Sequence, residues 1–435
     1  MKQMETLNVL NLETGQFEGK TITINDGKVT EMMEAPISHL RTYALPGLVD
    51  NHCHIQPAYA PLFTAAGVTS VRNTAGNSLH LKPLKDHQYA SFSPTVFTAD
   101  RMIDGVPGLW GKTSSGSFST QSKHDAIEEV KRQVDVGASF IKVYGRLKRD
   151  VMEAVVNEAA KCKLDVSADL LASTDVDART AAKMGIRFLE HNSGIIQSLI
   201  PSWHSLLSDK EDRALLEKGL DEDKLSTLCE ELITAGVVIV PTLSLFAQGT
   251  KESHWSISTS VKTSALTSLE EHWNYVRPYI QSSKQTRLLE VSKQITTAYH
   301  EKGGTILAGT DSPAGVDTYP GQLLHRELQL LVQCGLSPFE AIQSATSIPS
   351  KLFGLNSVCK VGGQADLVIL KSNPLKDISA TRLIEWVVKN GMWHRPEALI
   401  AKAEQNQQKY NQASYDKQEQ VYYDYMNKQY PHLMK

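Results

Sequence analysis

Between residues 48 and 311, short apolar runs alternate with longer stretches in which apolar residues recur every three or four positions. The two periods read in turn as strands and helices. The candidate strands are 48–55, 69–73, 95–99, 140–144, 164–169, 188–191, 237–243 and 305–311. Helices are legible at 125–136, 150–162 and 177–184, before the fourth, fifth and sixth strands. Alternation of this kind predicts a parallel sheet with crossover helices, and eight strands are the number that closes a (β/α)8 barrel. Residues 1 to about 45 follow another pattern: a run at 7–10, a Glu13-Thr14-Gly15 turn, and an alternating run at 20–24 before Asp26-Gly27. That pattern predicts part of a small β-domain.

A barrel of this class carries its chemistry at the C-terminal ends of the strands, so the last inward residue of each strand is the place to look. In the first strand the period of two sends His52 and His54 to one face, and two imidazoles so placed can grip a metal ion. The fourth strand puts Phe140, Lys142 and Tyr144 on one face. The fifth ends at Asp169, the sixth at Glu190-His191 and the eighth at Asp311. Each has an ordinary reading taken singly: paired histidines as core polar groups, Lys142 snorkelling to solvent, His191 as a hydrogen-bonded core residue, Asp311 as a helix cap. Together at one barrel mouth they would cost stability unless a cation satisfied them.

The motifs PGLVDNHCH, GVTSVRN, GASFIKVYG, RFLEHNSG, VPTLSLF, LAGTDSP, GLSPFEAIQSATSIPSKLFGL and GGQADLVILKSNPL, in this order, resemble the metal-dependent amidohydrolase superfamily. The branch is the one with prolidase-like and imidazolonepropionase-like enzymes, and the resemblance covers residues 5 to about 395. It implies a TIM barrel at 46–357 and a β-sandwich built from both chain termini, residues 1–45 plus 358–395, with 396–435 left as a helical tail. It also implies one or two divalent metal ions, zinc first and manganese or iron open. His52, His54 and Asp311 would hold the more buried ion and His191 the second. Lys142 would be carboxylated by carbon dioxide to a bridging carbamate.

One departure stands out. The family usually ends the fifth strand with a histidine, and here Asp169 occupies that place. Asp169 either completes a two-metal site, leaves a one-metal enzyme, or marks lost catalysis. The implied reaction is hydrolysis of a C–N bond in a small amide such as a dipeptide, an N-acyl amino acid or a cyclic amide. Metal-activated hydroxide would attack, with Asp311 as general base and acid. Tyr144 either donates to the developing oxyanion or walls the barrel mouth. His325 either orients the site from behind or begins a helix. The other readings are a mononuclear deaminase and a non-catalytic relative serving as a binding or regulatory protein.

Composition narrows the partners. A net charge of −3 in 435 residues and a pI near 6.5 give no case for nucleic acid or an anionic membrane, so a small-molecule substrate is expected. Five widely spaced cysteines form no C-x-x-C, and no signal-peptide core or membrane-length apolar window is present, which points to the cytoplasm. Arg72 and Asn73 end the second strand, where a salt bridge at the barrel mouth is expected. Polar insertions at 195–224 and 247–284 carry Trp203, His204, His254, Trp255 and Trp273, expected mostly to pack helices. Ser337, Pro338 and Glu340 spell a capping box. The Gln-, Lys- and Tyr-rich tail reads as one or two helices that pack on the barrel, mediate self-association or fray.

Overall fold

The computed structural model describes residues 3–37, 42–85, 87–248, 264–354 and 359–434. The chain begins with β1 (Gln3–Asn11), β2 (Gln16–Asn25), β3 (Lys28–Glu34) and β4 (Tyr43–Pro46). The central strands are β5 (Leu48–Cys53), β6 (Val68–Asn73), β7 (Thr95–Thr98), β8 (Met102–Asp104), β9 (Ser117–Ser119), β10 (Ile141–Tyr144), β11 (Val166–Asp169), β12 (Phe188–Glu190), β13 (Val238–Val240) and β14 (Thr305–Ile306). Three more follow: β15 (Leu367–Leu370), β16 (Ile384–Lys389) and β17 (Met392–His394).

Both termini meet in one sheet, ordered β17-β16-β15-β4-β1-β2-β3. Alternation explains why it needs two partners. Leu7, Val9, Ile22, Ile24, Leu367 and Ile369 form a core of their own on one face, while Leu10, Leu45, Val368 and Leu370 join the central core on the other.

The central strands form two parallel sheets, β5-β6-β7 and β14-β13-β12-β11-β10-β8-β9. Their edges approach at both ends. Asn51 N–H donates to Ala308 C=O at 3.0 Å and Thr310 N–H to His52 C=O at 3.0 Å, while Ser139 N–H donates to Thr98 C=O at 2.7 Å. This is an α/β fold with parallel-strand sheets, compatible with an eight-stranded barrel.

The third expected strand is bent. β7 pairs with β6, whereas β8 pairs with β10 and with β9, a short strand that hydropathy does not announce. At the bend, Asp100 and Arg101 turn into a buried ion network with the helix Lys123–Asp135. Glu129 accepts from Arg101 at 2.9 and 2.7 Å and from Arg132 at 2.9 and 2.7 Å, and Arg132 also reaches Asp100. Arg101 donates onward to Leu433 C=O at 3.2 Å, fastening the end of the tail.

The tail forms two helices, Pro396–Lys409 and Gln412–Gln429, and it packs on the body of the molecule. Leu399, Ala403, Tyr422, Met426 and Leu433 are buried, and Asn406 donates to Pro57 C=O at 3.0 Å. In the first insertion Trp203 is buried with its indole N–H on Asp212 at 2.9 Å, and in the second Trp273 donates to Pro313 C=O at 3.1 Å. Both are packing residues, as expected. His204 is half-buried, and His254 and Trp255 lie outside the described residues. Ser337 and Glu340 make the anticipated capping box. Among the described residues no helix is long and apolar enough to cross a membrane.

Burial alone would raise Glu129, but the guanidiniums of Arg101 and Arg132 outweigh it and hold the carboxyl at about 2 against its usual 4.5. The depressed value contributes stability above pH 4.5 that is lost as pH falls toward 2, on the order of 3 kcal/mol. Glu129→Ala strands two buried cations, so its unfolding free energy at pH 7 should drop by roughly 3–5 kcal/mol in urea titration. The variant should also lose part of the wild-type acid sensitivity between pH 4.5 and 2.

Candidate metal centre

His52 lies near the end of β5 and His54 one residue beyond it, past an irregularity in the strand's pairing, and both reach the same site. Their Nε2 atoms lie 3.1 and 2.9 Å from one oxygen of Asp311, and the three residues could share an ion, with ligand atoms within 4.8 Å of one another. Asp311 reaches them because the eighth expected strand stops early. β14 ends at Ile306, and Gly309 then passes so close to His52 that a Cβ there would sit 2.8 Å from His52 Cβ. At Asp311 the backbone turns left-handed, φ 60°. The sixth and seventh strands also end short of expectation for the same reason, with φ 59° at His191 and 49° at Thr242. Left-handed backbone is costly for such residues and gathers at functional sites.

His191 joins the cluster from the end of β12, its ring centroid 4.6 Å from that of His52 and its Nε2 3.7 Å from Asp169 Oδ2. The parallel register of β10 and β11 sets Tyr144 beside Asp169 and, one layer deeper, Lys142 beside Ser167. The structure thus gathers His52, His54, Lys142, Tyr144, Asp169, His191 and Asp311 at the strand ends.

Residues that the sequence reading did not assign to the ligand group hold it in place. Glu190 Oε2 is 2.6 Å from His52 Nδ1, its Oε1 accepts from Arg72 at 2.7 Å, and Ser167 also donates to it. A carboxylate only accepts, so His52 gives Glu190 its Nδ1–H and turns Nε2 toward Asp311. Burial would raise Glu190, but the charges of Arg72, His52 and Lys142 keep it well below the usual carboxylate range. Arg72 therefore makes its expected salt bridge. Asp50 accepts from His52 N–H at 3.2 Å and from the Thr310 hydroxyl at 2.6 Å, linking β5 to the segment before Asp311. Thr242 Oγ1 lies 2.6 Å from His191 Nδ1. Glu327 in turn accepts the N–H groups of Leu243 and Ser244 at 3.0 and 2.7 Å. The available signal for Glu190 was its place two residues after Phe188 on the inward face.

The donor set suits divalent cations. Lys142 Nζ is buried without a hydrogen-bond partner, and His52 Nε2, with Nδ1–H given to Glu190, turns a lone pair toward the Asp311 carboxylate; both states cost free energy unless another group satisfies them. Burial draws Lys142 below its usual pKa, against the carboxylates of Glu190, Asp169 and Asp311. Burial, aided by His52, holds His191 at about 4, so its imidazole is neutral at pH 7 and competent as a ligand.

The amidohydrolase family profile matches residues 43–393, from β4 into β17. The chain belongs to the amidohydrolase family. It is accordingly a hydrolase of carbon–nitrogen bonds in small molecules. A bottromycin amidohydrolase is 19% identical with TM-score 0.72, over 92% of this chain and 90% of its own. A Xaa-Pro dipeptidase with methionine bound in its active site is 20% identical with TM-score 0.66, over 91% and 100%. An ochratoxinase from A. niger is 18% identical with TM-score 0.63, over 90% and 95%. At these identities the likeness is one of fold. A comparison with curated proteins finds no significant match.

In this amidohydrolase His325 is not brought to the cluster. It is buried on the helix Gln322–Gln333 with Nδ1 3.1 Å from Thr381 Oγ1, away from the ligand group. Its expected orienting role has no contact to act through.

Removing the Glu190 carboxylate uncouples Arg72 and His52 together. Glu190→Ala should lose roughly 3–5 kcal/mol of unfolding free energy in chelator-containing buffer, by chemical denaturation. A loss below about 1 kcal/mol would mean that Glu190 is not the interior counter-charge.

Proposed function

We propose that this amidohydrolase cleaves the C–N bond of a small amide at a site that binds one or two divalent ions, zinc first. His52, His54 and Asp311 would hold one ion, and His191 and Asp169 the second, with Lys142 between them as a carbamate. The single observation that carries this reading is the convergence of His52, His54 and Asp311, whose ligand atoms lie within 4.8 Å of one another. The names of the fold relatives, an amidohydrolase and a dipeptidase among them, support the reaction class. On the same reading the central strands close a (β/α)8 barrel at 46–357, the terminal sheet forms the second domain, and the unpaired cysteines fit the cytoplasm.

A bound divalent ion would supply Lewis acidity, lowering the pKa of water toward about 7 and polarising the scissile carbonyl. The protein does the rest. Asp311, kept anionic by the histidines against its burial, accepts the proton of the attacking water and delivers it to the leaving nitrogen. Burial holds the Tyr144 phenol well above its usual pKa, so it keeps its proton and can donate to the developing oxyanion. Lys142, drawn toward its neutral form, is the nucleophile that carbon dioxide needs for carbamate formation. Glu190 and Thr242 fix the ring orientations of His52 and His191.

Asp169 decides the metal count. Its Oδ1 accepts Leu171 N–H at 3.0 Å, which leaves Oδ2 facing His191. Elemental analysis of protein purified without chelator should give near two ions per chain, falling to one in Asp169→Ala. One ion in both proteins would make the site mononuclear, and none in either would end the hydrolase reading. In a screen of small amides, His52→Ala and Asp311→Asn should each lower kcat/KM at least a hundredfold; rates equal to wild type would remove both from the mechanism.

A further inference from the structure

A cavity of about 350 Å3 opens beside His54, and part of its wall comes from the C-terminal tail. Tyr410, Tyr415 and Gln418 line one side, and Trp110 lines another together with a run of serines at 114, 115 and 117. The tail lies beyond residues 43–393 that match the family, so this wall is an addition to a family site. It is firmly built. Ser115 donates to Glu419 at 2.7 Å, the His80 ring meets Tyr415 edge-on at 5.3 Å, and Tyr422 and Met426 behind them are fully buried.

The lining chemistry is selective. Among the described residues that line the cavity there is no Lys, Arg, Asp or Glu. His80 does not supply a cation, because burial outweighs the nearby Glu419 and lowers its pKa from the usual value. At the tail-lined wall, away from the ions proposed on His54, a carboxylate would find no lining cation to offset the loss of its hydration. An aromatic or bulky apolar group would instead find rings for edge and face contacts, and neutral hydroxyls and amides for a polar substituent. His54, a candidate ligand, itself lines the cavity, so an occupant would lie beside the proposed metal site.

We propose that the C-terminal tail is the specificity wall of this hydrolase: Tyr410 and Tyr415, facing Trp110, select a neutral substrate that carries an aromatic or bulky apolar group beside the scissile amide. This proposal rests on the functional reading above and narrows it, setting free dipeptides and N-acyl amino acids below their uncharged counterparts.

The test compares N-acetyl-L-phenylalaninamide, N-acetyl-L-phenylalanine and N-acetylglycinamide, by kcat/KM and by titration calorimetry, on the full-length protein and on Tyr415→Ala and Tyr415→Phe. Tyr415 is 42% exposed, so its truncation leaves the fold intact, checked by circular dichroism. Wild type should favour the phenylalaninamide over the acid at least tenfold. Tyr415→Ala should narrow the ratio of phenylalaninamide to glycinamide about tenfold, and Tyr415→Phe should preserve it. Preference for the acid, an unchanged ratio in Tyr415→Ala, or no binding of the phenylalaninamide would overturn the proposal. Binding that is lost in Tyr415→Ala without turnover of any compound would leave the pocket standing and end the hydrolase reading. Turnover of all three without discrimination would do the reverse.

Discussion

The interior is organised around one buried carboxylate. Glu190 receives Arg72 from one side and His52 from the other, with Ser167 between, and none of the four is open to solvent. Arg72 is itself stacked between Phe140 and Phe188, its guanidinium carbon 4.1 and 4.5 Å from the ring centroids, and it donates to Asn51 C=O at 3.1 Å. A guanidinium in such a place is tolerable only because a full negative charge neutralises it. The same charge dictates which nitrogen of His52 faces the cluster. Electrostatic balance of the core and orientation of a candidate ligand are therefore one interaction, and neither can be altered alone.

Much of this architecture was legible in the sequence, for reasons that differ between elements. The expected period of two brought His52 and His54 to one site, although β5 ends at Cys53, and the βα alternation put Lys142, Asp169, His191 and Asp311 on or after successive strands. What hydropathy does not carry is where a strand stops. His191, Thr242 and Asp311 take left-handed backbone, a choice enforced by tertiary contacts such as the close passage of Gly309 over His52. The bend between β7 and β8 was hidden for a similar reason. It is made by buried charges, Asp100 and Arg101, whose partners Glu129 and Arg132 lie on a helix about thirty residues on.

The tail shows what a family resemblance leaves out. Its helices were readable from composition and pattern, but their destination was not, because the anchoring contacts join residues hundreds of positions apart. Asn406 reaches Pro57, Glu419 meets Ser115, and Leu433 C=O accepts from Arg101. The buried network that bends the third strand is thus the same one that pins the end of the tail.

His325 and Glu327 show how a correct segment can yield a misplaced residue. Both lie on the helix Gln322–Gln333, two positions apart, which turns them roughly 200° from each other around the axis. His325 accordingly faces Thr381. Glu327 faces the other way and accepts the N–H groups of Leu243 and Ser244, at the start of the short helix that follows Thr242. Burial pushes this carboxyl up to about 7, a cost the protein bears for holding one loop. That loop carries Thr242, whose hydroxyl contacts His191 Nδ1. The path from Glu327 to the imidazole is two hydrogen-bonded steps long and fully buried. Orientation of His191 is thereby tied to a helix outside the strand ends, which is the positioning role the sequence suggested for His325, filled from the opposite face.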